Sequence, residues 1–352
     1  MIYLDYNATT PIAKEVVAEM KPFLEEYFGN PSSLHQYGVK TKLAVEKARS
    51  RIAQLINCDS SEIIFTSGGT ESNNFAIKGY VLANKHQGNH IITSSIEHPA
   101  VFEVCEYLSK NGFSITYLPV DNYGMVNPED LEKAIKPSTI LISIMHANNE
   151  VGSIQPIVEL TKIAKKHNIT FHTDAAQSLG KTEVNVKDLG VDLLSIAGHK
   201  LYAPKGIGAL YIKNGINLEK LIHGADHEQN LRAGTENVLE IAGLGKACEI
   251  AAKNLGKNIA HYAKTRDYLY ELLQKSLPQI KLNGDLQHSL PNTLSISFPK
   301  VEANTLISRL ENVAASAGAA CHSESIDVSA VLEAMKVPID YAMGTIRFST
   351  GR

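Results

Sequence analysis

From about residue 60 onward, short apolar runs alternate with segments whose apolar positions recur every three to four residues. The runs predict strands at 62–66, 90–93, 114–118, 140–144, 169–172 and 192–196. The periodic segments predict helices at 70–83, 101–108 and 157–167. Continuously apolar strands separated by helices indicate a mostly parallel sheet covered on both faces. Ligands of such sheets bind outside the carboxyl ends of the strands. Thr66, Ser94, Asp174 and Ser195 lie at or just past those ends, so they can converge although they are far apart in sequence. The last third changes character. A long helical stretch is expected from about 237 to 277, with Leu255, Ile259, Tyr262, Leu269 and Leu273 forming a one-sided stripe before Pro278 stops it. A strand at 293–297, a helix near 303–311, another short strand and a terminal strand at 345–349 complete an α+β unit. The expected organisation is a large domain over residues 14–250 and a small one made of 1–13 plus 251–352.

Composition narrows the function classes. The chain has 352 residues, enough for one large core and a smaller domain, and its 44% hydrophobic and 20% charged content is ordinary for a globular protein. A net charge of −3 gives no reason to expect nucleic acid or an anionic membrane as partner. No apolar run approaches the roughly 20 residues of a membrane span. Met1-Ile2-Tyr3-Leu4-Asp5 carries no basic or apolar signal segment, so no export is expected. Cys58, Cys105, Cys248 and Cys321 are far apart with no metal-ligand spacing, and the 13 histidines form no HExxH motif. A disulfide framework and a zinc centre are therefore not expected, and a reducing cytoplasm fits the cysteine usage.

The chemistry-bearing residues cluster at strand ends. Ser195-Ile196-Ala197-Gly198-His199-Lys200 places a lysine just after one strand, and His172-Thr173-Asp174-Ala175-Ala176-Gln177 an acid at the end of another. A buried lysine near a fixed carboxylate suits pyridoxal phosphate: the amine forms a Schiff base, and the acid keeps the pyridine nitrogen protonated. Thr66-Ser67-Gly68-Gly69-Thr70-Glu71-Ser72 lies between strand and helix, where glycines and a helix N-terminus suit an anion; by itself it also reads as a capped turn with Thr70 as cap. His98 can stack on an aromatic ring and move protons, or simply cap the helix that begins at Pro99. Asp174 alone also reads as a capping aspartate, and Lys200 alone as a surface lysine. The four features together, all on strand ends of one sheet, favour the cofactor reading. Cys321 follows a run of small residues and precedes His322, a neighbour able to lower a thiol pKa. Cys105 and Cys248 read as small buried core residues, and Cys58 as a turn residue.

These motifs resemble those of the cysteine desulfurases of NifS/IscS type, within the fold-type I aminotransferase superfamily. The resemblance spans essentially the whole chain: Leu4-Asp5-Tyr6-Asn7-Ala8-Thr9-Thr10-Pro11, Gly29-Asn30-Pro31-Ser32-Ser33-Leu34-His35, Ser67 to Asn73, Glu97-His98, Asn148-Asn149-Glu150-Val151-Gly152, Asp174 to Gln177, Gly198-His199-Lys200, Arg232-Ala233-Gly234-Thr235-Glu236-Asn237 and Ile346-Arg347-Phe348-Ser349. It implies an α/β fold with a mostly parallel seven-stranded sheet and a smaller α+β domain. It also implies pyridoxal 5'-phosphate bound by Lys200, Asp174, Gln177, His98, Gly69, Thr70 and His199, with Thr235 reaching in from the other subunit of a homodimer. Lys200 and His98 would move protons, Asn149 and Arg347 would hold the substrate carboxylate, and Cys321 would take sulfur from L-cysteine as a persulfide. A sulfur acceptor such as an iron–sulfur scaffold protein would then receive it.

Three departures bear on that reading. The family often has serine three residues before the lysine as a phosphate ligand; here it is Ala197. The family's Ser-Gly-Ser-Ala-Cys loop is Ala317-Gly318-Ala319-Ala320-Cys321-His322-Ser323 here, closer to that of selenocysteine lyases. Relatives usually continue past the position of Gly351-Arg352 with another helix and a tail. The alternatives are a selenocysteine lyase acting on L-selenocysteine, an aminotransferase on the same scaffold, and a non-catalytic thiol carrier. Alanine formed without a keto acid separates the desulfurase from the aminotransferase, and a lysine-bound cofactor band separates it from the carrier.

Overall fold

The computed structural model describes residues 1–322 and 325–352, with the backbone alone described for 319–322 and 325–327. Seven strands form the central sheet in the order Ile63–Thr66, Gly208–Ile212, Leu193–Ala197, Thr170–Asp174, Thr139–Ser143, His90–Ser94 and Ser114–Leu118. Gly208–Ile212 pairs antiparallel with both neighbours; the other pairings are parallel. The six strands inside the Ser114–Leu118 edge are buried along their whole length, which is why they read as unbroken apolar runs. The edge strand Ser114–Leu118 is buried only at Leu118.

One face of the sheet is covered by the large cluster around Ile52, Phe65, Ile142, Phe171, Ile196 and Leu244. The opposite face packs on Phe75, Ile77, Val101, Leu108 and Leu193. Burying Leu- or Phe-sized side chains in this way contributes about 1.5–3 kcal/mol each. The helix Gln36–Ile56 lies against Val238–Ser276. A Cβ at Gly245 would come within 2.5 Å of the Ala48 Cα, so this close helix approach needs glycine.

The small sheet runs Ser316–Ala317, Thr345–Ser349, Thr293–Ser297, Lys281–Asn283, all antiparallel. Its core of Leu294, Ile296, Ile346 and Phe348 packs on Leu269 and Leu273 of the long helix, so the C-terminal end of the expected stripe faces the small sheet. The helix is continuous through residue 250, linking the two parts. The N-terminus joins the small part first: Ile2–Tyr3 pairs with Val313–Ala314, and Ser349 N–H donates to Leu4 O. It then crosses to the large sheet, where Thr10 N–H donates to His199 O. Residues 5–10 are thus a strap over the sheet's carboxyl edge.

Several expected boundaries shift. The helix expected at 101–108 is Pro99–Ser109, the strand expected at 140–144 is Thr139–Ser143, and the helix expected near 303–311 ends at Ser308. The run 69–84 is helical as Gly69–Asn74, a π-turn Phe75–Gly79 and Tyr80–Asn84. Thr70 does not cap it: Gly68 holds the cap position, at φ +152°. Among the described residues no helix is long and apolar enough to cross a membrane, and no group of His, Cys, Asp and Glu could hold a metal ion.

Candidate active site

At the carboxyl ends of the strands a cleft of about 160 Å³ is lined by Gly69, Thr70, Asn73, His98, Asn149, Asp174, Gln177, Ala197, His199 and Lys200, among others. The strand Leu193–Ala197 ends in a 3-10 turn, Gly198–Lys200, that turns Lys200 back over the sheet. A Cβ at Gly198 would sit 2.8 Å from Ile207 O, so glycine lets the turn pack on the next segment. The Lys200 amine donates to Ala8 O at 2.9 Å and to Asn7 O, both on the strap. Burial, then the Arg347 charge, pushes its pKa down to about 8 against the opposing pull of Asp174 and Asp5. At a pKa of about 8 roughly a tenth of the amine is unprotonated at pH 7, far more than for an ordinary lysine, and the unprotonated form is the one that attacks an aldehyde.

Asp174 ends its strand and is 7% exposed. One oxygen accepts from Ala176 N–H at 2.8 Å, the other from Asn73 Nδ2 at 2.6 Å. Gln177, one turn on, donates from Nε2 to Asn7 O at 2.9 Å and accepts at Oε1 from Lys181 Nζ at 2.8 Å. His98 is at once the helix cap and a cleft-lining ring: Nδ1 accepts from Ala100 N–H at 3.1 Å, so a neutral ring carries its proton on Nε2. Burial lowers its pKa, Asp174 opposing and Lys200 assisting. Glu97, just behind it, accepts from Ser94 Oγ and Met145 N–H, and burial pushes its carboxyl up to about 8. His199 bonds Thr9 Oγ1 through Nδ1 at 3.2 Å, and burial, then Lys200, pushes it down to about 4.

The structure brings Lys200, Asp174, Gln177, His98, Gly69, Thr70, His199 and Asn149 into one cleft. Thr235 is exposed and does not line it. Its segment is tied to the start of the 69–84 run by Arg232 Nε on Glu71 at 2.9 Å. Arg347 lies beside the cleft: its guanidinium donates to Asn149 O, Asp5 and Ser316 at 2.8–2.9 Å, and its Nε is buried without a partner. Cys321 stands in the hairpin Ala319–His322/Ser325–Val328, and its side chain lies outside the described residues. Cys105 and Cys248 are buried, as expected of core residues, and Cys58 follows the left-handed Asn57 cap of a helix.

Asn7, Asn73 and Lys181 carry much of the hydrogen bonding here, and no role is assigned to them on sequence. Lys181 lies four residues after Gln177, the helical spacing that would have signalled it. Asn73 likewise sits one turn beyond Gly69.

The residues fit pyridoxal phosphate. The cleft holds a low-pKa amine and an acceptor-only carboxylate at one end, and backbone N–H groups of a helix start at the other. Asn73 Oδ1 is buried without a partner. The wall is tight where a Cβ on Gly69 would meet Ala197 Cβ at 3.1 Å.

Fold and site together define a lysine-and-carboxylate enzyme of the fold-type I class. The model of the aminotransferase class-V family matches residues 2–352, and the chain belongs to that family. It is 55% identical over 352 residues to a cysteine desulfurase IscS of Dictyoglomus turgidum, covering 99% of this chain and 89% of the relative. It is 49% identical over 353 residues to a cysteine desulfurase IscS of Methanosarcina thermophila, covering 100% of this chain and 87% of that one. A solved NifS-like protein superposes with a TM-score of 0.93 at 41% identity, covering 99% of this chain and 93% of its own. A structure described as SspA in complex with cysteine gives 0.86 at 38%, covering 99% and 98%.

Proposed function

We propose that this chain is a pyridoxal phosphate-dependent cysteine desulfurase, converting L-cysteine to L-alanine and leaving the sulfur as a persulfide on Cys321. The observation that carries the reading is the Lys200 amine, held at a pKa of about 8 in the same cleft as the Asp174 carboxylate. Bound pyridoxal phosphate supplies an aldehyde for the substrate amine and a ring that accepts its electron pair.

This chain's residues do the rest. Lys200 would hold the cofactor's aldehyde and, with the substrate bound, would take the proton from the substrate Cα at Nζ. Asp174, kept in place by Asn73 and Ala176, stabilises a proton on the pyridine nitrogen. Gln177 would donate to the cofactor's ring oxygen, and His98 would relay protons through Nε2. Gly69, Thr70 and His199 receive the phosphate, and Asn149 and Arg347 receive the substrate carboxylate. The Cys321 thiolate attacks the substrate Sγ. The S–S bond forms as the Cβ–Sγ bond breaks, the electron pair stays on the carbon side, and a proton completes the methyl group of alanine. No external oxidant or reductant is needed.

A homodimer completes the site. The rings of Phe28 and Tyr37 lie 5.4 Å apart, and Phe28 and Leu34 are 81% and 97% exposed, an apolar patch that a second copy would cover. Thr235, outside its own cleft, would serve the partner's. Residues 14–250 would act as the cofactor-bearing unit and 1–13 plus 251–352 as the unit that presents Cys321. The persulfide would pass, in the cytoplasm, to an iron–sulfur scaffold or another acceptor.

The deciding experiment assays L-cysteine and L-selenocysteine side by side, with mass spectrometry of Cys321. Wild type should give alanine without a keto acid and a +32 Da adduct on Cys321 (the mass of one sulfur, roughly, from the bond made in the step above). Cys321→Ala should drop to background on cysteine. Full activity of that variant on selenocysteine alone would instead establish a selenocysteine lyase.

A further inference from the structure

Lys181 is 5% exposed and has no carboxylate within 4 Å among the described residues. Its ammonium end meets two amide oxygens, Gln177 Oε1 at 2.8 Å and Asn7 Oδ1 at 3.0 Å. Burying an amine with no counter-ion is costly, and nothing in the packing of an aliphatic core requires it. Burial, with Lys200 and Arg347 nearby, pulls its pKa well below the usual lysine range. What it keeps in either form is hydrogen-bond donors at a fixed point.

Those donors settle an ambiguity. A glutamine amide can present either its oxygen or its nitrogen to a ligand. With Oε1 accepting from Lys181, a flip of Gln177 would give up that bond and turn its NH2 toward an amine whose N–H groups already point at Gln177 and Asn7. The Nε2 edge must therefore face Asn7 O and the cleft. The same lysine fixes Asn7, whose Oδ1 also accepts from Asn292 at 3.0 Å and whose Nδ2 donates to Thr293 at 2.8 Å. Asn7 O in turn receives both Gln177 and Lys200. One buried amine thus orients two side-chain amides, and one of them, Gln177, shares the Asn7 carbonyl with the Lys200 amine.

We infer that Lys181 is a positioning residue: it locks Gln177 as a donor toward the ring oxygen of the cofactor and holds the 5–10 strap that receives Lys200. The inference rests on the functional reading above, but its first readout does not. Side-chain amide hydrogen exchange of Gln177, followed by NMR in the purified protein, should be slow in wild type. It should become at least about tenfold faster in Lys181→Met, as expected for losing one buried hydrogen bond. Lys181→Gln, a neutral donor, should recover part of the protection, and it replaces Lys181→Met as the test should the latter not fold.

In the cofactor-loaded enzyme, Lys181→Met should shift the visible band and lower kcat/KM about tenfold. Adding it to Gln177→Ala should cost clearly less than the product of the two single losses, because part of the Lys181 effect passes through Gln177. Unchanged Gln177 exchange in both Lys181 variants, or losses that multiply in the double variant, would overturn the inference. Absence of a cofactor band in wild type would overturn the functional reading instead, while the exchange measurement still decides the role of Lys181.

Discussion

The two ends of the cleft are built differently. At the ring end, Asn73 holds Asp174 at 2.6 Å, and Gln177, Asn7 and Lys181 close a ring of hydrogen bonds at 2.8–3.0 Å, all within one chain. At the phosphate end, Thr70 is exposed, Ala197 offers a methyl where a hydroxyl could donate, and Thr235 is turned out of its own cleft. The ring end is built within one chain; on the proposed reading, the phosphate end takes a further donor, Thr235, from a second copy. A preorganised ring end needs no rearrangement when charge shifts on the ring, which is where electrostatic catalysis gains most. The phosphate only anchors, and anchoring tolerates donors arriving from a partner.

The largest expected effect therefore lies at the ring end. Asp174→Asn keeps the shape and the contact with Ala176 but removes the charge that favours a protonated pyridine. It should lower kcat by about 10²–10³-fold, the cost of a lost buried charge-assisted bond. Cofactor retention should change far less. Pre-steady-state alanine formation checks this, and a fall in retention with kcat preserved would reverse the roles assigned to the two ends.

Thr235 tests the other end. Thr235→Ala should weaken cofactor binding about tenfold or more, the loss of one hydrogen bond to a charged group, at little cost in kcat once loaded. Mixed dimers make the prediction sharper. A chain carrying Lys200→Ala, paired with one carrying Thr235→Ala, has one intact site if the threonine acts across the interface and none if it acts within its own chain. Recovery of activity on mixing, measured against each parent, decides between them.

The same contrast explains what was legible in the sequence. Strands buried on both faces write continuous apolar runs, so 90–93, 169–172 and 192–196 are readable without a structure. Gly208–Ile212 was missed because its apolar run follows a Lys-Gly loop and returns antiparallel beside its predecessor, with no intervening helix. The helices before residue 60 were also not predicted: Gln36–Ile56 buries a sparse set of small and apolar residues on one face. In the site, Lys200 and Asp174 are legible because strand ends are where ligands of such sheets bind. Asn7 and Lys181 are not, because their bond joins positions 174 residues apart, and neither residue type signals chemistry alone. His98 shows a different lesson: the capping reading is realised by Nδ1 and does not exclude the proposed cofactor role, for which Nε2 remains.

Ala197 gives the smallest effect and the finest test of the comparison. It is 5% exposed, on the cleft wall, at the end of the strand that leads to Lys200. A serine there adds one oxygen, and an unpartnered buried hydroxyl costs about 1–3 kcal/mol. If the phosphate end is under-supplied with donors, that hydroxyl finds an anion when the cofactor is present and nothing when it is absent. Ala197→Ser should then lower the melting temperature of the cofactor-free protein slightly and tighten cofactor binding by up to about tenfold, with kcat unchanged. Paired thermal melts with and without pyridoxal phosphate read both signs at once. Destabilisation in both states would mean that the neighbouring Gly69 backbone, already close to the Ala197 methyl, leaves no room for the oxygen, and that the methyl is there for fit and not for want of a donor.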